Sequence, residues 1–299
     1  VTRANFPFNE RINSLSVDTR AVFKLMSGSV EHAILFGVDY RDYDGFSEFG
    51  FGGAPSIDLF DPVYDATITP TPLFTSIDET RKQLGVYAQE QMKVGGFVVT
   101  LNGRHDTAKR NPAFGNSQTD KKWSYRAGVN YVFENGFAPY AQAARSFQPV
   151  AGATFDGDAF QPTTGDQIEA GVKYDGRTLG DAVRVFGSLA GYKITQKNVL
   201  TPDPAHLFFT VQEGEVEVKG IELELSARIR ERMTFNLAYT TIDTEVTESS
   251  DPSVIGNEMV AVPDGLISAL ADYTFQDGPM AGLGFGLGLR HRGELFGDG

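Results

Sequence analysis

The chain has 299 residues, no cysteine, a formal net charge of −13 and an isoelectric point near 4.8. So acidic a chain lacks the basic stripe that displaces counterions from phosphate, which argues against nucleic acid as a partner, and the missing cysteines exclude a disulfide framework and thiolate metal sites. Abundant Gly (33), Phe (23) and Tyr (11) against one Trp and five Met favour short β elements over long helices, and the best apolar run, 33–38, is far below the roughly 18 residues a membrane-spanning helix needs.

Taken in chain order, period-two patterning predicts about twelve strands, at 13–26, 31–43, 81–93, 97–106, 122–133, 137–147, 164–174, 182–194, 209–228, 233–246, 265–275 and 281–291. In the fourth, Phe97, Val99 and Leu101 alternate with Thr100, Asn102 and Arg104. In the fifth, Trp123, Tyr125, Ala127, Val129, Tyr131 and Phe133 oppose Ser124, Arg126, Gly128 and Asn130. The seventh sets Ile168, Ala170, Val172 and Tyr174 against Gln167, Glu169 and Lys173. Between 182 and 194, and again between 265 and 275, apolar residues fall on both faces, which also fits a buried sandwich strand. The ninth carries Ile221, Leu223, Leu225 and Ala227 on one face, continued upward by Lys219, Glu217 and Glu215. An apolar stripe that stops partway is expected where a strand leaves a bilayer. In the last, Leu283, Phe285, Leu287 and Leu289 alternate with glycines, so the second face is bare backbone, as where the sheet bends or another group approaches closely.

Short connections fall at Ser27-Gly28-Ser29, Gly95-Gly96, Glu134-Asn135-Gly136, 175–181, Arg230-Glu231-Arg232 and 276–280. Long ones fall near 44–80, 107–121, 148–163, 195–208 and 247–264. Strict alternation of short and long is the pattern of an up-and-down outer-membrane barrel with tight periplasmic turns and long extracellular loops. Tyr131, Phe133, Phe137, Tyr273 and Phe275 flank short turns, as an interfacial girdle would. The expected class is therefore all-β, a transmembrane antiparallel up-and-down β-barrel. A soluble sandwich or propeller is the alternative, though such folds rarely join strands this long by loops sorted in this way.

Several segments carry a family likeness: Gly37-Val38-Asp39-Tyr40, Gln83-Leu84-Gly85-Val86-Tyr87-Ala88-Gln89-Glu90-Gln91, Gly103-Arg104-His105-Asp106, Tyr125-Arg126-Ala127-Gly128-Val129-Asn130-Tyr131, Ala138-Pro139-Tyr140 and Ser146-Phe147-Gln148-Pro149. More specific are Pro162-Thr163-Thr164-Gly165-Asp166-Gln167-Ile168-Glu169-Ala170-Gly171-Val172-Lys173-Tyr174, Asn198-Val199-Leu200-Thr201-Pro202-Asp203-Pro204 and Gly220-Ile221-Glu222-Leu223-Glu224. Together, from about residue 15 to the end, they resemble the barrel of TonB-dependent siderophore receptors of the ferrichrome, or hydroxamate, type. The resemblance implies a plugged barrel of about 22 strands, of which residues 1–299 would form a partial barrel domain without the plug, the first strands and the last strands. A start at Val1 with no signal peptide, and a stop just after a strand-like segment, fit that expectation. It further implies a receptor in the bacterial outer membrane, embedded in outer-membrane lipid and taking up ferric siderophores. The TonB–ExbB–ExbD complex would energise it through the plug. Iron would arrive as the finished chelate, with no cofactor bound by the protein itself. A passive porin-like diffusion channel and a structural or adhesive barrel are the rival readings.

The remaining chemistry-bearing residues favour bland readings. His32, His105, His206 and His291 share no metal-ligand spacing. Glu222 and Glu224, on one strand face with Val216 and Val218, suit a polar lumen better than the paired acid and base of a glycosidase. Asp156-Gly157-Asp158 lacks the later glutamate of a calcium loop and reads as a turn. No nucleophile elbow, phosphate loop or catalytic triad is present, so no catalytic or metal residue is assigned and no enzyme is expected. The stretch from Tyr40 to Phe51 stands apart, because Tyr40, Tyr43, Phe46, Phe49 and Phe51 crowd a glycine-spaced segment expected to be a loop. Exposed aromatics there need either each other or a ligand. By the resemblance, they are the barrel side of the siderophore site, with Phe49 first and Tyr43 offering a hydroxyl. The alternative is a loop packed on its own small aromatic cluster.

Overall fold

The computed structural model describes all residues except 65, 114, 177–181, 204, 208, 231 and 298–299, and the side chain at 213. Two compact units make up the chain. The first contains Val1–Arg20, Gly37–Val86 and His105–Lys122, and the second contains Ala21–Phe36, Tyr87–Arg104 and Trp123–Gly299. The strands are β1 (Arg3–Asn5), β2 (Phe8–Ser27), β3 (Val30–Phe49), β4 (Gly52–Ala54), β5 (Phe74–Val94), β6 (Phe97–Pro112), β7 (Gln118–Tyr131), β8 (Phe137–Gln148), β9 (Thr163–Asp175), β10 (Val183–Pro202), β11 (Thr210–Ile229), β12 (Met233–Glu248), β13 (Gly265–Thr274) and β14 (Gly284–Arg292). All twelve expected strands are present, in one sheet ordered β14-β13-β12-β11-β10-β9-β8-β7-β6-β5-β3-β2. Each strand thus lies beside its neighbour in sequence, the topology of an up-and-down meander. Outside that sheet, β1 pairs antiparallel with β4, a contact of three residues a side that period two was too short to reveal.

Strand length is where the sequence reading needs correction. β3 runs to Phe49 rather than 43, β5 starts at Phe74 rather than 81, β6 ends at Pro112 rather than 106 and β10 ends at Pro202 rather than 194. The connection at 113–117 is therefore as short as the one at 132–136, and the strict alternation of short and long does not hold. The cause is visible on β10 and β11. Leu189 and Gly191 of the apolar stripe are followed on the same face by Lys193, Thr195 and Lys197, which pair with Lys219, Glu217 and Glu215. The apolar stripe that marks the lipid side thus ends, with Ile194, Val216 and Val218 on the other face, yet the backbone ladder continues. The expected turns at 175–181 and 230–232 lie partly outside the described residues.

The sheet buries almost no apolar core. Among the described residues only Phe160, Ala190 and Val216 are buried hydrophobics. Large apolar side chains instead line one face, with Trp123, Val129, Ile168, Leu189, Ile221 and Leu287 all exposed. The register carries that face across strands, through Ala141–Ala170, Ala170–Gly191, Gly191–Ile221 and Ile221–Thr241. The opposite face runs through Tyr140–Gly171, Gly171–Ala190, Ala190–Glu222 and Glu222–Thr240. A wide apolar surface is costly in water and favourable in lipid, so a sheet divided in this way is a membrane wall.

The tight turns are set by glycine. Gly28 (φ +61°) and Gly95 (φ +57°) are the first residues of two-residue turns whose second residues, Ser29 and Gly96, do not have positive φ. That combination is the type II′ hairpin, which matches strand twist and favours glycine first. Gly136 (φ +90°) closes the β7–β8 turn, and a Cβ there would sit 2.2 Å from the Asp175 carbonyl oxygen.

Candidate functional site

The aromatic stretch is a strand, so backbone alternation decides what each side chain can reach. On β3, Tyr43 and Phe49 share the parity of Asp39 and Ser47, while Tyr40 and Phe46 have the other. The contacts agree. The Tyr43 ring lies 5.4 Å from the Arg81 guanidinium. The Tyr40 hydroxyl donates to Asp42 Oδ2 at 3.0 Å, and Asp42 also faces Lys82 Nζ at 3.4 Å. Arg81 and Lys82 are adjacent on β5 and point to opposite sides. Phe46 lies under the Arg11 guanidinium at 5.7 Å. Phe49 and Phe51 both pack on Phe6, at 5.8 and 6.4 Å between ring centres. The five aromatics thus do not converge. Tyr43 and Phe49 are together on one face, Tyr40 and Phe46 are on the other, and Phe51 lies beyond the strand end.

On the Tyr43 side, the first unit holds a buried ionic cluster that the sequence did not announce. Asp39, Ser47, Glu79 and Asp106 are all buried. Arg110 Nε donates to Glu79 Oε2 at 2.6 Å, and Arg81 lies against Glu79 Oε1 without a well-aligned hydrogen bond. Gln83 Nε2 donates to Asp106 Oδ1 at 2.7 Å, and Arg41 faces Asp39 at 3.5 Å. A buried carboxylate costs several kcal/mol unless cations and donors surround it, and here Glu79 has two arginines, Asp39 has Arg41 and Asp106 has the Gln83 amide. Asp39, Gln83 and Asp106 belong to the family-like segments. Glu79 and Arg110 had no such signal, because their contact joins residues 31 apart through the β5–β6 ladder.

On the polar face of the second unit, Tyr140 donates to Glu169 Oε1 at 2.6 Å and Gln167 Nε2 donates to Glu169 Oε2 at 3.0 Å. Arg126 Nε donates to Gln142 Oε1 at 2.7 Å, and Lys173 Nζ sits 5.0 Å from the Tyr140 ring centre. Arg126, Tyr140, Gln142, Glu169 and Lys173, with Gln89 and Asn102, line a hollow of about 550 Å³. The wall offers hydrogen bonds of both senses.

Two long connections of the second unit also meet. His206 stacks on Phe155 with ring centres 3.6 Å apart and planes 6° apart, Phe209 meets Phe155 edge-on at 5.1 Å, and His206 Nδ1 lies 2.9 Å from Asp203 Oδ2. That hydrogen bond from His206, reinforced by the Ala205 backbone N–H, holds the Asp203 carboxyl below the ordinary aspartate range. The Asp156-Gly157-Asp158 segment is a turn, closed by Thr154 N–H donating to Asp158 O at 2.9 Å, with Gly157 at φ +88°. Among the described residues no group of three or more His, Asp or Glu side chains is placed to hold a metal ion. Among the described residues no helix is long and apolar enough to cross a membrane, which says nothing of crossing by strands.

A meander with one lipid-compatible face, one hydrogen-bonding face and aromatics beside its tight turns defines the wall of an outer-membrane β-barrel. The family model described as TonB dependent receptor-like, beta-barrel matches residues 2–299, and the chain belongs to that family. Its relatives include the ferrichrome outer membrane transporter/phage receptor of Escherichia coli K12, 35% identical over 97% of this chain and 40% of that protein. They also include the ferrioxamine B receptor of Salmonella typhimurium LT2, 31% identical over 94% of this chain and 40% of that protein. Among solved structures, BauA, the ferric preacinetobactin receptor of Acinetobacter baumannii, superposes with a TM-score of 0.74 at 20% identity, over 93% of this chain and 43% of that one. FpvA of Pseudomonas aeruginosa, bound to a heterologous ferric pyoverdine, gives 0.78 at 18% identity, over 97% and 39%. The chain spans about 40% of the length of the curated relatives it matches. As in the rest of the family, its place is the bacterial outer membrane.

Proposed function

We propose that the protein to which this stretch belongs imports ferric siderophores across the outer membrane, energised by TonB–ExbB–ExbD acting on a plug. Iron enters as a finished chelate, and the protein performs no catalysis and holds no cofactor. Family membership supports this, as do relatives named for ferrichrome and ferrioxamine B. The porin-like alternative is not favoured, since the resemblance is to receptors.

The observation that carries the site is the shared parity of Tyr43 and Phe49 on β3, beside the buried carboxylates of Asp39 and Glu79 and their arginines. Of the five aromatics first considered, these two form the site, while Tyr40, Phe46 and Phe51 support the segment. A hydroxamate chelate presents a compact face of amide edges and apolar surface. A flat ring can cover that surface and a tyrosine hydroxyl can donate to it. The test is ferric siderophore affinity of the full-length receptor carrying Phe49→Ala or Tyr43→Ala, with Phe275→Ala as a control among the turn-side aromatics. Removing a buried aromatic anchor costs about 2 kcal/mol, or roughly thirtyfold in affinity. Parental affinity in both variants at normal surface abundance would move the site elsewhere.

A further inference from the structure

The lipid-compatible face contains one ionisable pair that its surroundings do not explain. His32, near the start of β3, places Nδ1 2.8 Å from Glu90 Oε1 near the end of β5. Both residues belong to the second unit. Their neighbours on that face are Ile34, Phe36, Ala88 and Leu101, and the last of these and Phe36 are exposed to the surroundings. Charge on the lipid side of a barrel is destabilising, increasingly so with depth. Glu90 lies four residues inside the strand end at Val94, roughly 10 Å below the turn for a tilted strand.

Beside the pair is a groove of about 570 Å³ on the same face. Its floor is formed by small residues, Ala88, Gly103 and Ala127, and its walls by Phe36, Leu101 and Tyr125, with Glu90 at the end nearer the tight turns. Nothing lies within 4 Å of where a Gly103 Cβ would be, so the floor is open. Glu90 Oε1 is taken by His32, while Oε2 has no partner among the described residues and the side chain is 35% exposed. An apolar trough running toward the membrane centre, with a free carboxylate oxygen at its turn-side end, has the polarity of a phospholipid of the turn-side leaflet. The chain fits the trough and the head group meets the acid.

We infer that this groove binds a phospholipid whose head group carries a primary amine, the ammonium donating to Glu90 Oε2 and one acyl chain lying over Gly103 between Phe36 and Tyr125. Charge selects this occupant. An ammonium gains a charge-assisted hydrogen bond from the carboxylate, a quaternary head group cannot donate one, and an anionic head group is repelled. His32 positions the carboxylate by holding its other oxygen.

The experiment is native mass spectrometry of the full-length receptor in detergent, titrated with phosphatidylethanolamine, phosphatidylcholine and phosphatidylglycerol of identical acyl chains. The amine lipid is expected to be retained about tenfold more strongly than either other lipid, the worth of one charge-assisted hydrogen bond. Glu90→Gln should bring it level with phosphatidylcholine. Gly103→Leu, which fills the trough without touching the pair, should weaken all three lipids at this site. Equal retention of the three lipids by the parent, or an amine preference that survives Glu90→Gln, would overturn the inference. If Glu90→Gln does not assemble, Gly103→Leu decides, and unchanged retention of the amine lipid in that variant refutes the site.

Discussion

The two ends of the strands are held by different physics. Beside the tight turns, rings meet rings on the apolar face. Phe97 contacts Tyr131 at 4.6 Å, Phe137 contacts Tyr174 at 4.6 Å, and Tyr273, Phe275 and Phe285 form a mutual cluster. At the other end the same face carries ion pairs instead. Arg145 grips Asp166 through two hydrogen bonds of 2.6 and 2.7 Å, Glu217 bridges Lys193 and Lys219, and Lys197 meets Glu215 at 2.9 Å. Aromatic rings with polar tips suit the boundary between hydrocarbon and head group. Exposed ion pairs contribute little stability, yet they keep a paired strand soluble once it stands in water. The strand therefore continues past the membrane with its backbone ladder intact and only its side-chain alphabet changed. The buried Glu79 cluster belongs to neither regime, since its carboxylate is enclosed and its partners are obligatory.

Mutation should separate these regimes, and the largest effect is expected at the enclosed cluster. Arg110→Ala in the full-length receptor removes the aligned partner of a buried carboxylate, at a cost of about 3 kcal/mol. Lys197→Ala at an exposed pair should leave stability unchanged, both read by denaturant unfolding in detergent. Equal losses would mean that the two kinds of ion pair do not differ. A smaller effect belongs to the turns. Gly136→Ala meets both a positive φ and the Asp175 carbonyl, and should cost about 2 kcal/mol. Gly95→Ala meets only the positive φ and should cost about 1 kcal/mol. If Gly95→Ala proved the more damaging, close approach at 136 would not be the constraint.

These differences also mark what was legible in the sequence. The existence, order and facing of the strands were readable wherever one face met lipid, as from Trp123 to Tyr131, because hydrophobic alternation records that environment directly. The loop-side extensions of β3, β5, β6 and β10 were not, since the lipid-side stripe gives way there to polar residues, as at Lys193, Thr195 and Lys197 on β10, and no longer marks the strand. For the candidate site, this error placed Tyr40 to Phe49 in a loop, where every aromatic is free to converge. A strand permits only Tyr43 with Phe49, or Tyr40 with Phe46. Asp39 and Asp106 were visible through family-like segments, while Glu79 with Arg110 became apparent only from strand pairing.

A sheet that crosses the outer membrane in this way has its tight turns inside and its longer connections outside. Single cysteines at Asp156→Cys, Ser250→Cys and Asn135→Cys in the full-length receptor, treated on intact cells with a membrane-impermeant maleimide, test this directly. The connections at 149–162 and 249–264 should label and the β7–β8 turn should not. Labelling of Asn135→Cys together with protection of Asp156→Cys and Ser250→Cys would invert the topology and contradict the account.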